Sequence, residues 1–125
     1  MKPTIAIIGA SADRQKFGNR AVRAYARRGY EVYPIHPSAE QIEGHQAYRS
    51  VLEVPVDHLD RVSLYVPPDI GLLLIEEVAR KPAREVWLNP GAESPELIAR
   101  GRALGLSLIV GCSIISIGED PDALG

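Results

Sequence analysis

Thr4-Ile5-Ala6-Ile7-Ile8-Gly9-Ala10-Ser11 is the stretch that decides how this chain folds. A short apolar run ends at a glycine, and the stretch that follows, Asn19 to Arg28, sets Val22, Tyr25 and Ala26 on one face and arginines elsewhere. That is a strand followed by a surface helix that covers a sheet. The pattern repeats down the chain. Further apolar runs at Glu31 to Ile35, Val62 to Val66, Glu85 to Leu88 and Ser107 to Val110 read as strands. Between them, Asp69 to Arg80 begins behind Pro67 and Pro68. Another stretch has Ser94 as N-cap, Pro95 at the first helical position and Gly105 as terminator. Gly29 closes the first helix as a left-handed cap. Strands alternating with helices predict an α/β, three-layer, Rossmann-like domain. Its sheet is mainly parallel and five-stranded, with helices on both faces.

Two segments fit neither period. Ser38 to Leu59 reads as a loop, with a short extra strand at His45 to Ala47, a possible sixth strand of the sheet, and one helical turn near Ser50 to Glu53. Residues 118–125 hold three acids and no apolar periodicity, and read as an acidic C-terminal tail. No linker or internal repeat divides the chain, so 1–125 is expected to be a single domain.

Composition narrows the classes of function. The 125 residues carry 14 basic and 16 acidic side chains, a formal net charge of −2, which argues against a nucleic-acid module. One cysteine, Cys112, allows no internal disulfide, and with three scattered histidines it makes no metal-ligand pattern. The expected setting is cytoplasmic, with no membrane span. A small-molecule or protein partner is left.

In an open parallel sheet, ligands bind beyond the carboxyl ends of the strands, near the point where strand order reverses. Those ends run into Gly9-Ala10-Ser11, His36-Pro37, Pro67-Pro68, Asn89-Pro90-Gly91 and Gly111-Cys112-Ser113, each small, Gly-bearing or Pro-bearing. Turns need such residues in any case, but five at one edge point to a site. Most cations have a structural reason to be where they are. Arg27, Arg28, Arg80, Lys81, Arg84, Arg100 and Arg102 sit near helix ends or just before strands, at the opposite edge. Arg14, Lys16 and Arg20 lie instead in and after the first strand-to-helix loop, where a helix start favours anions, so they suggest an anionic guest. Gly9 permits a tight exit from the strand, Ser11 offers a hydroxyl and backbone N–H groups, and Gly18 lets backbone approach a phosphate at the helix start. Arg14 breaks the P-loop pattern. Ser11 and Arg14 break Gly-x-Gly-x-x-Gly, and His36 stands where an NAD enzyme would carry Asp or Glu.

Taken together, Ile5 to Ser11, Gly18, Gly29 to Pro37, Val66-Pro67-Pro68, Trp87 to Ala92 and Cys112 resemble the small CoA-binding domain family. That family is similar to the CoA-binding Rossmann-like domain of the succinyl-CoA synthetase α subunit. The resemblance runs from about Thr4 to Ile117. It implies coenzyme A, or an acyl-CoA, held at the strand ends with its phosphates over the first loop. Gly9, Ala10 and Ser11 would form the phosphate turn, and Arg14 and Lys16 would meet the phosphates. His36, where family members often carry Asn, and Pro37 would border the adenosine. Val66, Pro67 and Pro68 would line the middle of the ligand, and Asn89, Pro90 and Gly91 its pantetheine end. Cys112 is most simply a buried small apolar group; at the ligand edge its thiol could form a mixed disulfide with CoA.

No Ser-His-Asp order or paired-carboxylate constellation is legible, and the phosphorylated histidine of the synthetases belongs to a further domain, so the expected role is non-catalytic CoA binding. Two alternatives stand beside it. One is a small accessory subunit or enzyme acting on a nucleotide-linked (CoA or NAD) substrate. The other is a nucleotide-sensing regulatory protein, with a homo-oligomer or protein-partner face at Trp87 or Leu72 to Ile75.

Overall fold

The computed structural model describes residues 1–125. In chain order its strands are β1 (Thr4–Ile8), β2 (Glu31–Ile35), β3 (Gln41–Ile42), β4 (His45–Gln46), β5 (Leu59–Leu64), β6 (Ala83–Leu88) and β7 (Leu108–Val110). The helices are α1 (Phe17–Arg27), α2 (Pro68–Arg80), α3 (Pro95–Ala103) and α4 (Ser113–Ser116), with 3₁₀ turns at Val51–Glu53 and Pro121–Leu124. The main sheet is parallel throughout, in the order β2-β1-β5-β6-β7. The chain leaves β1 for one side and then returns to pair on the other. Strand order therefore reverses at β1 and β5, and a crevice opens at their carboxyl ends.

The pleat of β1 sorts the core. Ala6 and Ile8 face one layer with Ile75, Val78 and Leu97 from α2 and α3. Ile5 and Ile7 face the other, with Ala21, Val22, Ala24 and Tyr25 of α1 and Ile114 of α4. Helices on both faces of a parallel sheet are thus a direct reading of adjacent apolar residues pointing opposite ways. The expected caps are in place. Gly29 takes φ +84° after α1, and the Ser94 hydroxyl accepts from Leu97 N–H at 3.1 Å in front of Pro95. Trp87 is half-buried under the Arg61 guanidinium, 5.0 Å from its ring centre, and Ile75 belongs to the core.

Three expectations change. The third main-sheet strand begins at Leu59 rather than Val62 and stops at Leu64. Leu59 N–H donates to Pro82 carbonyl (2.9 Å), and Asp60 N–H donates to the Thr4 hydroxyl (3.0 Å) while the Asp60 carboxylate accepts from Thr4 N–H (2.8 Å). These bonds extend the ladder backwards. His45–Gln46 does not join the main sheet; it pairs antiparallel with Gln41–Ile42 in a hairpin of its own. The hairpin turns at Glu43 (φ 51°) and Gly44 (φ 78°). Only Tyr48 continues toward the sheet, bonding across β2 through His36 N–H (2.8 Å) and Pro34 carbonyl (2.9 Å). Two-residue strands are too short to show a period.

The third change is at the C-terminal segment, which is docked and not a free tail. Leu124 is buried against α1. Arg20 donates to Pro121 carbonyl (3.2 Å) and Arg23 to Leu124 carbonyl (2.5 Å). Glu119 takes Arg27 (3.2 Å) and Arg28 (2.5 Å). Glu119, one of three acids that look like a solvated run, is spent on Arg27 and Arg28 at the end of α1, which no local pattern reveals. Leu124→Ser is therefore expected to destabilise the fold by about 2 kcal/mol, from lost apolar burial and a cavity. Chemical denaturation should show it; an unchanged midpoint would mean the segment only rests on α1.

Candidate functional site

At the switch point the turns after β1, β2, β5 and β6 meet the start of α1 and the segment after β7 around a cleft of about 810 Å³. That volume is within the usual range for small-molecule pockets. Gly9, Ala10 and Ser11 form one wall, with Lys16 and Gly18 above them. His36 and Pro37 come from β2, Val66 and Pro67 from β5, Asn89, Pro90 and Gly91 from β6, and Cys112 from the last turn. Arg14 and Pro68 are not part of the lining. Six further residues are: Phe17, Tyr65, Ala92, Ile115, Pro121 and Asp122.

Backbone proximity shapes the loop. Gly9 leaves β1 at φ +88°, and a Cβ there would lie 2.7 Å from the Tyr65 carbonyl oxygen. Gly18 sits against Gly9 so closely that a Cβ would be 2.1 Å from the Gly9 carbonyl oxygen. Between them the loop is held by Asp13 N–H on the Ser11 hydroxyl (3.0 Å), Gln15 N–H on the Asp13 carboxylate (3.0 Å) and the Asn19 amide on Ser11 carbonyl (2.8 Å). The N–H groups of Phe17 and Gly18 find no acceptor within the protein. The first turn of α1 has no acidic residue and no side-chain cap. The positive end of the helix thus faces the cleft without a counter-charge of its own.

The three loop cations part company. Arg14 is held by Glu43 at 2.9 Å, at the tip of the β3-β4 hairpin, and Glu43 also accepts from Asn19 (3.0 Å). Arg20 turns toward the C-terminal segment and lies over the Phe17 ring, 4.8 Å from its centre. Lys16 alone lines the cleft, and it makes no ion pair. The hairpin and the C-terminal segment, the two pieces that sequence patterning could not place, are what draw the arginines away.

Beneath the cleft runs a buried polar network. Asn89, 2% exposed, donates to the Ser63 hydroxyl (2.8 Å) and Leu64 carbonyl (2.9 Å) and accepts from Ser113 N–H (2.9 Å). The Ser113 hydroxyl bonds Ser63 (2.7 Å) and Tyr65 (3.0 Å), and Ser113 carbonyl accepts from the Tyr25 hydroxyl (2.8 Å). Burial pushes the Tyr65 hydroxyl well above the ordinary tyrosine range, so it stays a neutral donor-acceptor. The amide of Asn89 is consequently spent on joining β5, β6 and α4, and it shapes the cleft floor without a free hydrogen-bonding group. Ser63 did not stand out in the sequence and Ser113 did so only as part of the last edge turn, because a serine in a strand or at a helix start shows no special role until its partners are known.

The remaining groups are reactive types in fixed settings. His36 Nδ1 accepts from Ser38 and Ala39 N–H (3.0 and 2.9 Å), which leaves the ring proton on Nε2. Cys112 is free and half-buried, packed against the α1-side core while lining the cleft just before α4, so it is not a fully buried apolar group.

Known proteins with the same features can now be set beside this one. The chain is 32% identical over 77 residues to the ADP-forming acetate–CoA ligase I of Archaeoglobus fulgidus, covering 62% of this chain and 11% of that protein. It is 33% identical over 89 residues to the α subunit of the ADP-forming acetate–CoA ligase I of Pyrococcus furiosus, covering 66% of this chain and 19% of that one. The chain thus spans about a tenth to a fifth of the length of these curated relatives. Among solved structures, a conserved hypothetical protein of Pyrococcus furiosus superposes with a TM-score of 0.80 at 30% identity, covering 93% of this chain and 99% of that one. The dinucleotide-forming acetyl-coenzyme A synthetase 1 of Ca. Korarchaeum cryptofilum superposes with a TM-score of 0.73 at 27% identity, over 85% of this chain and 25% of that one. The CoA binding domain model matches residues 3–118, and the chain belongs to that family.

Proposed function

We propose that the cleft binds coenzyme A or an acyl-CoA without transforming it. The pyrophosphate rests over Gly9, Ala10, Ser11 and Gly18, with Lys16 as its counter-ion. The adenosine lies toward His36 and Pro37, and the pantetheine runs past Val66, Pro67 and the Asn89 to Gly91 turn. The observation that carries this reading is the start of α1. Two N–H groups without acceptors, a first helical turn with no acidic residue and one lysine without an ion pair stand at an opening of the right size for a phosphate-bearing ligand. A binding role is supported by how the reactive groups are used: the Ser63 and Ser113 hydroxyls hold the floor, and His36 Nδ1 is bonded to backbone.

Isothermal titration of the full chain with CoA, acetyl-CoA, NAD and ATP tests this. Binding of CoA and acetyl-CoA in preference to the other two is expected; heat from NAD and none from CoA would overturn it.

Arg14 offers a finer test. Its contact with a phosphate requires that it leave Glu43, so the ion pair and the ligand compete for one guanidinium. Glu43→Gln keeps the size and the Asn19 contact while removing the charge. It is expected to tighten CoA binding roughly fivefold, about 1 kcal/mol, with a steeper loss of affinity in salt. Unchanged affinity and salt slope would leave Arg14 as a purely structural partner of the hairpin.

A second reading has one observation in its favour: the relative in Pyrococcus furiosus is an α subunit of a ligase, and the chain matches only a fifth of it. In that reading this domain presents CoA to a separate catalytic partner. Thioester formation on mixing with such a partner would support it.

A further inference from the structure

In a doubly wound sheet the residue at the carboxyl end of the second strand stands at the ribose of a bound adenosine, and its chemistry sets which ribose is accepted. An Asp or Glu there takes the hydroxyl hydrogens of a free diol, whereas a hydrogen-bond donor suits a ribose that carries a phosphate. In this chain the residue is His36, directly after Ile35 of β2 and on the wall of the cleft. Its main chain is fixed by His36 N–H donating to Tyr48 carbonyl (2.8 Å). Its ring is fixed as well, since Nδ1 accepts from Ser38 N–H (3.0 Å) and Ala39 N–H (2.9 Å). With Nδ1 spent on two donors the ring proton sits on Nε2, so the ring offers a ligand a donor and no acceptor. The Nε2–H makes no bond within the protein and is not sealed from solvent. The one carboxylate in the cleft lining, Asp122, comes from the C-terminal segment, and Glu43 of the neighbouring hairpin is paired with Arg14.

Resting on the CoA reading above, we propose that His36 is the residue that makes the cleft select an adenosine with a phosphate on its ribose, as CoA has at the 3′ position, over one with a free diol. Nε2–H donates to a phosphate oxygen, a charge-assisted bond and stronger than the same donor makes to a neutral hydroxyl. Fixation is what turns this preference into discrimination. To offer a diol an acceptor, the ring would have to carry its proton on Nδ1, which faces the Ser38 and Ala39 N–H groups. His36 thereby separates CoA from 3′-dephospho-CoA and NAD, which share the adenosine pyrophosphate and differ at the ribose.

Equilibrium titration of the full chain with CoA and 3′-dephospho-CoA reads the term directly, because the two ligands differ only in that phosphate. CoA is expected to bind roughly tenfold tighter. A matched pair of variants isolates His36. In His36→Asp and His36→Asn a side-chain oxygen replaces Nδ1 as acceptor for the Ser38 and Ala39 N–H groups, the bonding of an ordinary Asx turn, so the loop is kept. The Asp variant has an acceptor where the donor was. It should lose CoA affinity by at least about tenfold while 3′-dephospho-CoA changes by less than about twofold. The Asn variant retains an amide donor and should still prefer CoA. Equal affinity of the parent protein for the two ligands, loss of both ligands by the same factor in His36→Asp, or one and the same ratio in the two variants would overturn the proposal while leaving CoA binding intact. Failure of the parent to bind either ligand would overturn the CoA reading itself.

Discussion

Gly18→Ala is expected to lower stability by about 3 kcal/mol and to weaken ligand binding more than roughly tenfold. The added Cβ would lie 2.1 Å from the Gly9 carbonyl oxygen, 2.9 Å from its carbon and 3.2 Å from Ala10 Cα. All three are backbone atoms, so no side-chain rotation relieves the clash. The first loop or the start of α1 must move, and with it the N–H groups of Phe17 and Gly18. The requirement at Gly18 is closeness, since its φ is not left-handed. Gly29→Ala is the informative contrast. Gly29 has φ +84° and nothing within 4 Å of a Cβ, so a cost of about 1 kcal/mol and no effect on ligand affinity are expected. Thermal melting and titration of both variants measure the difference. A Gly18→Ala protein that melts within about 2 °C of the parent would show that the loop can yield.

Asn89→Ala is expected to cost about 3 kcal/mol and to drop the melting temperature by on the order of 10 °C. The substitution removes two donated hydrogen bonds and one accepted bond from a side chain that is 2% exposed. It leaves Ser113 N–H without its partner at the start of α4, and an unpaired buried donor is worse than a bond never made. Asn89→Asp should do no better near neutral pH, because a carboxylate would face the Leu64 carbonyl in place of the amide N–H. A residue acting only by touching ligand would leave the melting temperature alone. Loss of CoA affinity with unchanged stability would therefore show that the clamp is not what Asn89 contributes.

These expectations show unequal legibility. The caps at Ser94 and Gly29 and the β1 run could be read because helix ends and strand exits obey local rules of hydrogen bonding and backbone conformation. The edge of the sheet that holds the cleft followed from the alternation of strands and helices. The hairpin at Gln41 to Gln46 was read only in part, since its strands are two residues long. Leu124 carried no periodic signal, yet it is a core residue. Asn89 was visible as a turn residue, but its role as a clamp depends on Ser63 and Ser113, which are 26 and 24 residues away in sequence.

The sequence by itself determined the α/β alternation, the parallel sheet covered on both faces, and the small and Gly-bearing or Pro-bearing turns at its carboxyl edge. It also singled out Arg14, Lys16 and Arg20 as cations that helix ends do not explain. Only the tertiary structure decided which of them is available to a ligand. Arg14 meets Glu43 across 29 residues of chain and Arg20 meets Pro121 across 101, and Lys16 is left alone at the cleft. Periodicity and capping are set by neighbours along the chain. Charge pairing is set by distance in space, and a helix start, a hairpin tip and a C-terminal turn become neighbours only when the sheet has formed.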